Sequence, residues 1–167
     1  DELNRLPGIL ERALDKYPPW VVQKYLNRVR FVEDLNYDDG DMAGLATPES
    51  KSLYLEVADE NKSTPNKKVE ATFHHKFAHI LYAINPFPKE EWMRCAPMDF
   101  EYKKELKDKS DLDLWKNGFY SNYSREKMEE DFCEFSELIF EPRKAKLLLE
   151  HYPALDRKFA VWLRVYQ

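Results

Sequence analysis

The sequence predicts an α+β fold in which a small sheet packs on a histidine-bearing helix and a helical C-terminal half follows. Short apolar runs between residues 29 and 57 favour strands, whereas apolar residues after residue 65 recur at helical spacing. The chain has 167 residues, long enough for one domain with a real core and too short for two comfortable ones. We therefore expect a single domain over residues 1–167.

The N-terminal part predicts two short helices between Leu3 and Leu26, separated by Pro18 and Pro19. A strand is expected at residues 29–32. The acidic stretch 38–41 then predicts a solvated turn, because it lacks the alternation and terminal Glu of a calcium-binding loop.

Two further strands are predicted at residues 43–47 and 52–57, joined through Pro48. A helix is expected to begin at Thr64-Pro65 and to end at Ile84, before Asn85-Pro86. Five apolar residues form its predicted buried stripe: Val69, Phe73, Phe77, Ile80 and Ile84.

The C-terminal half predicts mostly helices. Short helical pieces are expected at 88–94 and 102–107, followed by a longer helix that Ser124 caps and that ends before Pro142. That longer helix is expected to turn Met128, Phe132, Phe135 and Ile139 inward. Two last helices are predicted at 144–151 and 155–166.

Composition and charge exclude several classes of function. The net charge is −5 with both signs interspersed, which disfavours nucleic acid and anionic membranes as partners. No apolar run approaches the ~20 residues that span a bilayer. Cys95 and Cys133 form no CxxC pair, so we interpret them as buried free thiols, although an oxidising compartment would allow them to pair.

Three of the four histidines lie in one segment, and two of these have the spacing of a metal site. Residues at i and i+4 share a helix face, so His75 and His79 can point at one zinc ion, at about 2.0–2.1 Å. His74 lies about 100° around the helix, which favours a structural or supporting role. His151 is interpreted as an ordinary surface or core histidine.

A third ligand must come from elsewhere, and the later helix offers Glu129, Glu130, Glu134 and Glu137. Glu130 and Glu134 share a face, so one could bind the metal while the other orients a ligand histidine. The alternative is that His75 and His79 are ordinary surface histidines with acidic neighbours.

The stretches His75-Lys76-Phe77-Ala78-His79 and Glu130-Asp131-Phe132-Cys133-Glu134 resemble the HExxH and ExFxE helices of gluzincin metallopeptidases. The chain is similar in particular to zinc-binding metallopeptidase lipoproteins of Bacteroidetes, and more remotely to the catalytic domain of anthrax lethal factor. Gly118, Phe119 and Tyr123 match a Gly-Phe-x-x-x-Tyr stretch of that family. The resemblance covers roughly residues 43–140.

This resemblance implies a zincin-like domain with zinc held by His75, His79 and Glu130, and with Glu134 supporting them. It implies that Tyr123 donates to the oxyanion of a peptide or protein substrate; a packing role is the alternative for this tyrosine. It also implies an extracytoplasmic location at the cell envelope, with a lipid anchor outside this sequence; the start at Asp1 rather than Met agrees with an upstream segment having been removed.

Lys76 is the departure from the family pattern, in which a glutamate general base stands at this position. A protonated lysine has no lone pair with which to accept a proton. We interpret Lys76 as turned to solvent and catalytically silent; a lysine neutralised by the metal is the alternative base. Two functions follow: a zinc-binding peptidase relative with impaired or lost hydrolysis, or a non-catalytic binding or assembly module at the envelope.

Overall fold

A computed structural model describes residues 2–33, 35–37, 40–41, 43–57 and 65–166 of the chain. It divides into two units, Asp1–Ile84 and Asn85–Gln167. The first is mixed α and β and the second is helical, which confirms the predicted α+β class with a helical C-terminal half. The single domain over 1–167 stays a prediction.

The first unit contains three helices and five short strands among its described residues. The helices are α1 (Glu2–Leu14), α2 (Pro19–Tyr25) and α3 (Asn66–Ile84); the strands are β1 (Arg28–Val32), β2 (Asn36–Tyr37), β3 (Gly40–Asp41), β4 (Gly44–Thr47) and β5 (Ser52–Glu56). The two N-terminal helices, the three longer strands and α3 confirm the elements predicted for this region.

The three longer strands form one sheet in the order β1-β5-β4. β1 runs parallel to β5, pairing Val29 with Leu53, and β4 runs antiparallel to it, pairing Gly44 with Leu55. A 3-10 turn at Pro48–Ser50 joins β4 to β5 and ends at Lys51, whose φ of 51° is left-handed. The sheet packs on α3, as predicted.

Alternating apolar residues on the strands and a stripe on α3 supply the buried side of this unit. Val57 and Val69 pack with Leu6 and Ile9 of α1, and Phe31 closes the cluster. Burial against α3 therefore stabilises β4 and β5 although both strands are short.

The predicted stripe of α3 is correct for four of its five members, since Val69, Phe73, Phe77 and Ile80 are buried. Ile84 is instead 39% exposed, because it is the last residue of the helix. Thr64, the predicted cap, lies outside the described residues.

The predicted turn at 38–41 falls partly outside the described residues, since Asp38 and Asp39 are not among them. Gly40 and Asp41 form β3, which pairs antiparallel with β2. This small two-stranded pairing was not predicted.

The second unit contains α4 (Lys89–Met93), α5 (Asp111–Lys116), α6 (Met128–Ile139), α7 (Pro142–His151) and α8 (Pro153–Arg164). Of the helices predicted in this region, four are confirmed within a few residues at their ends: α4, α6, α7 and α8. Within α6, Phe132 and Phe135 are buried as expected, whereas Met128 and Ile139 are only half-buried.

Two predictions in this unit are wrong. Residues 102–107 form no helix, because the Tyr102 hydroxyl donates to Asp131 and the Lys103 N–H donates to the Arg125 carbonyl. Ser124 does not cap α6; its hydroxyl donates to the Ser121 carbonyl and closes a 3-10 turn at Tyr123–Arg125. The unpredicted helix α5 is capped by Ser110, whose hydroxyl oxygen accepts from the Asp113 N–H.

Cys95 and Cys133 are buried and free, as expected. None of the helices in the described part of the chain has the length and apolar character needed to cross a membrane.

Candidate metal centre

The two histidines of the predicted site lie one turn apart on α3. The ring centroids of His75 and His79 are 5.0 Å apart, and the rings offer ligand nitrogens within 4.8 Å of each other. His75 is buried and His79 half-buried. Two imidazoles placed in this way fit zinc, which binds histidine nitrogen. The geometry of this pair follows from the i, i+4 spacing alone.

Lys76 lies on α3 beside this pair, on the side of the helix that faces β4. A Cβ atom added at Gly44 would lie 3.1 Å from Lys76 Cγ and 3.0 Å from Thr72 Cγ2. The β4 backbone therefore passes close to the stem of Lys76. Glycine suits this position because a Cβ here would also lie 2.9 Å from the Tyr54 carbonyl oxygen. The side chain is half-buried rather than fully exposed.

His74 points into the core of the first unit, away from the ligand pair. Its Nδ1 lies 2.9 Å from the Tyr17 hydroxyl, and its side chain is 2% exposed. Burial, aided by the positive charge of Lys16, lowers the pKa of His74 from 6.5 to about 3. The neutral ring thus serves packing, in agreement with the structural role predicted for it.

On α6 and the turn before it, Tyr123 is close to Glu130. The Tyr123 hydroxyl forms a hydrogen bond with this carboxylate. Partial burial raises the pKa of Tyr123, and the negative charges of Glu130, Glu126 and Glu134 add to the increase. The phenol therefore stays protonated at neutral pH and remains a hydrogen-bond donor.

Glu134 is held by Ser121, whose hydroxyl donates to Glu134 Oε2 at 2.6 Å. The carboxylate oxygens of Glu134 and Glu137 come within 4.8 Å of each other. A carboxylate fixed by a hydroxyl suits the supporting role predicted for Glu134, because a partner of a metal ligand must itself be oriented.

The structure brings together His75 with His79, and Tyr123 with Glu130. His151 stands apart, exposed near the end of α7 with Nδ1 at 2.8 Å from the Leu147 carbonyl oxygen. The set of ligands, His75, His79 and Glu130, stays a prediction.

A buried ion pair next to Glu130 was missed from the sequence. Lys158 of α8 donates to both oxygens of Asp131, at 2.9 and 2.7 Å, and both side chains are 0% exposed. Trp92 Nε1 and the Tyr102 hydroxyl donate to the same carboxylate, at 2.8 and 2.6 Å. The one available signal was a charged residue at 131 flanked by core positions of α6.

Comparisons with known proteins give one result. The model of a family described as "Putative zinc-binding metallo-peptidase" matches residues 27–148, from before β1 into α7. No curated protein and no solved structure matches the chain significantly. The description of the family names zinc, which confirms the predicted cofactor. The matched residues make up most of the chain and include His75, His79 and Glu130. The chain therefore belongs to this family, described as zinc-binding metallopeptidases.

Proposed function

We propose that the protein binds zinc through His75, His79 and Glu130, with Glu134 orienting these ligands, and that peptide hydrolysis is impaired or lost. Lys76 is the observation that carries the second half of this proposal. It occupies the position of the general base, between the two histidines of the HxxxH pair.

A general base must accept a proton during the attack on the peptide, and an ammonium group cannot do so. Zinc, when bound, polarises the substrate carbonyl as a Lewis acid. The Tyr123 phenol, kept protonated by its raised pKa, would donate a hydrogen bond to developing negative charge in exchange for its bond to Glu130. Zinc and Tyr123 would therefore still stabilise negative charge on the substrate, whereas lysine stands in place of the residue that accepts the proton.

The similarity to envelope lipoproteins supports an extracytoplasmic, lipid-anchored location. It also supports the second candidate function, a non-catalytic binding or assembly module. Packing of the Lys76 stem beneath β4 favours this second candidate, since a side chain held in this way is not simply excluded into solvent.

Metal analysis after reconstitution with zinc tests the binding half. We expect stoichiometric zinc in the wild type and its loss in His75→Ala and in His79→Ala. His151→Ala is the matched control, because His151 is exposed on α7 and should leave the zinc content unchanged. Absence of zinc from the wild type would contradict the ligand assignment.

The catalytic half of the proposal is tested by placing a glutamate base at position 76 of the zinc-reconstituted protein. Lys76→Glu should raise peptide cleavage by roughly 100-fold or more, which is the usual contribution of general acid–base catalysis. Lys68→Glu makes the same charge reversal at an exposed position of α3 and should give no increase. Equal cleavage by the Lys76→Glu variant and the wild type would refute the proposed mechanism.

A further inference from the structure

Lys76 is a half-buried residue, and its ammonium group has no partner among the residues the structure describes. No carboxylate, carbonyl or aromatic ring of these residues forms a hydrogen bond, ion pair or ring contact with it. This differs from the fully buried Lys158, which has a full set of acceptors. An ammonium group without a counter-charge among these residues is available to an anionic ligand, with which it would form a charge-assisted hydrogen bond.

The stem of Lys76 is positioned rather than free. Thr72 and Lys76 are one turn apart, and both meet the position that a Cβ at Gly44 would occupy. A side chain packed against a strand loses less rotamer entropy when it binds a ligand, because much of that freedom is already lost.

Lys76 also adjoins the histidine pair. At 100° per residue, it lies about 60° around α3 from His79. A cationic side chain thus stands next to the histidines proposed to hold a divalent cation. Two cations side by side favour a ligand that brings negative charge.

From these contacts we infer that Lys76 is a receptor for a carboxylate group of a peptide ligand, bound beside the zinc. The inference rests on the proposed function, because it requires zinc at His75 and His79. A carboxylate offers two acceptor oxygens, and charge-assisted hydrogen bonds to ammonium are the stronger kind. The site then retains acidic peptides instead of cleaving them. The carboxylate has two sources, a free C-terminus or an acidic side chain.

Isothermal titration of the zinc-loaded protein with three peptides of one parent sequence tests this inference. The first has a free C-terminus, the second is C-terminally amidated, and the third is amidated with one internal Glu. We expect the first or the third to bind roughly tenfold more tightly than the second, as one charge-assisted hydrogen bond provides. Which of the two is preferred identifies the source of the carboxylate.

Lys76→Gln and Lys76→Met should abolish this difference, and the Met variant keeps an unbranched stem beneath β4. Lys68→Gln removes the same charge about 12 Å away along α3 and should retain the preference. Circular dichroism and zinc content are measured for every variant. Lack of zinc in the wild type overturns the proposed function and this inference together. Zinc uptake without any preference for a carboxylate, or with a preference that survives both Lys76 substitutions, overturns the inference alone.

Discussion

At the scale of single residues, His74 and His75 show how adjacent positions on one helix acquire different chemistry. His75 shares its helix face with His79, whereas His74 is buried against Tyr17 and faces Glu70, which is itself paired with Lys16. Because Lys16 offsets the charge of Glu70, burial dominates and the ring of His74 stays neutral. One step of about 100° therefore separates a candidate ligand from a core residue.

This environment predicts that His74 makes stability depend on pH. Its pKa is about 3 in the folded chain and 6.5 when exposed, so the unfolded chain binds the proton first as pH falls. The contribution of the neutral His74 ring to the free energy of unfolding is complete above about pH 6.5. It is lost progressively towards pH 3 and amounts to a few kcal/mol. Urea unfolding of the metal-free protein at several pH values in this window measures the free energy of unfolding.

His74→Gln is the comparison, because it keeps a polar side chain that does not titrate. The free-energy difference between wild type and variant should decrease as pH falls from 7 to 4. An unchanged difference across this range would mean that His74 does not titrate as the burial of its ring requires.

Single residues were predictable where the chemistry depends on neighbours in sequence. The histidine pair and Lys76 follow from helical spacing, which is a local property. Tyr17 and Ser121 were not predictable, since their partners His74 and Glu134 lie 57 and 13 residues away. Such contacts depend on how elements pack and leave no periodic signal.

At the scale of elements, α6 is fixed by the carboxylate of Asp131. Donors from α4, from the segment before α5 and from α8 converge on it: Trp92, Tyr102 and Lys158. Lys158 also lies over the rings of Trp92 and Phe119, at 4.8 and 4.7 Å from their centroids. The residue after Glu130 thus ties α6 to its neighbours.

Removal of one partner of this pair should be costly. Lys158→Met leaves Asp131 buried without its counter-charge, and we expect a loss of about 3–5 kcal/mol in the free energy of unfolding. The double variant Asp131→Asn with Lys158→Met should be more stable than the single variant, because no charge then remains buried. Denaturant unfolding of the wild type, both single variants and the double variant gives the coupling energy.

Lys146→Met is the control, since Lys146 pairs with Glu150 at 3.9 Å on the exposed face of α7. Loss of this exposed ion pair should change the free energy of unfolding by less than about 1 kcal/mol. Equal effects of the Lys146 and Lys158 substitutions would contradict the importance given to burial.

Elements were predictable from the sequence where an apolar period is long. α3 follows from its apolar stripe, but the segment 102–107 has a helical composition and no helix. Its backbone and side chains instead bond to Arg125 and Asp131, so tertiary contacts override local propensity. The start of α6 was misplaced for a similar reason, since Ser124 bonds locally within a 3-10 turn.

At the scale of the whole molecule, the α+β class followed from the order of strand and helix patterns along the chain. The arrangement into two units was not predicted, because it depends on which elements contact one another. The family match over residues 27–148 includes elements of both units, α3 and α6 among them. Zinc bound through the proposed ligands should stabilise the folded chain.

A ligand that binds the folded chain stabilises it, by about 2.7 kcal/mol when free zinc is at 100 times its Kd. For a chain of this size, that corresponds to an increase in Tm of roughly 5–10 °C. Scanning calorimetry with and without zinc should show this increase in the wild type, and a chelator should reverse it.

Glu130→Gln should reduce the increase in Tm strongly, because a neutral amide is a poor zinc ligand. Glu129→Gln removes the same charge one residue earlier, about 100° around α6, and should retain the increase. If both variants behave alike, zinc responds only to the overall charge of α6, and Glu130 is not its ligand.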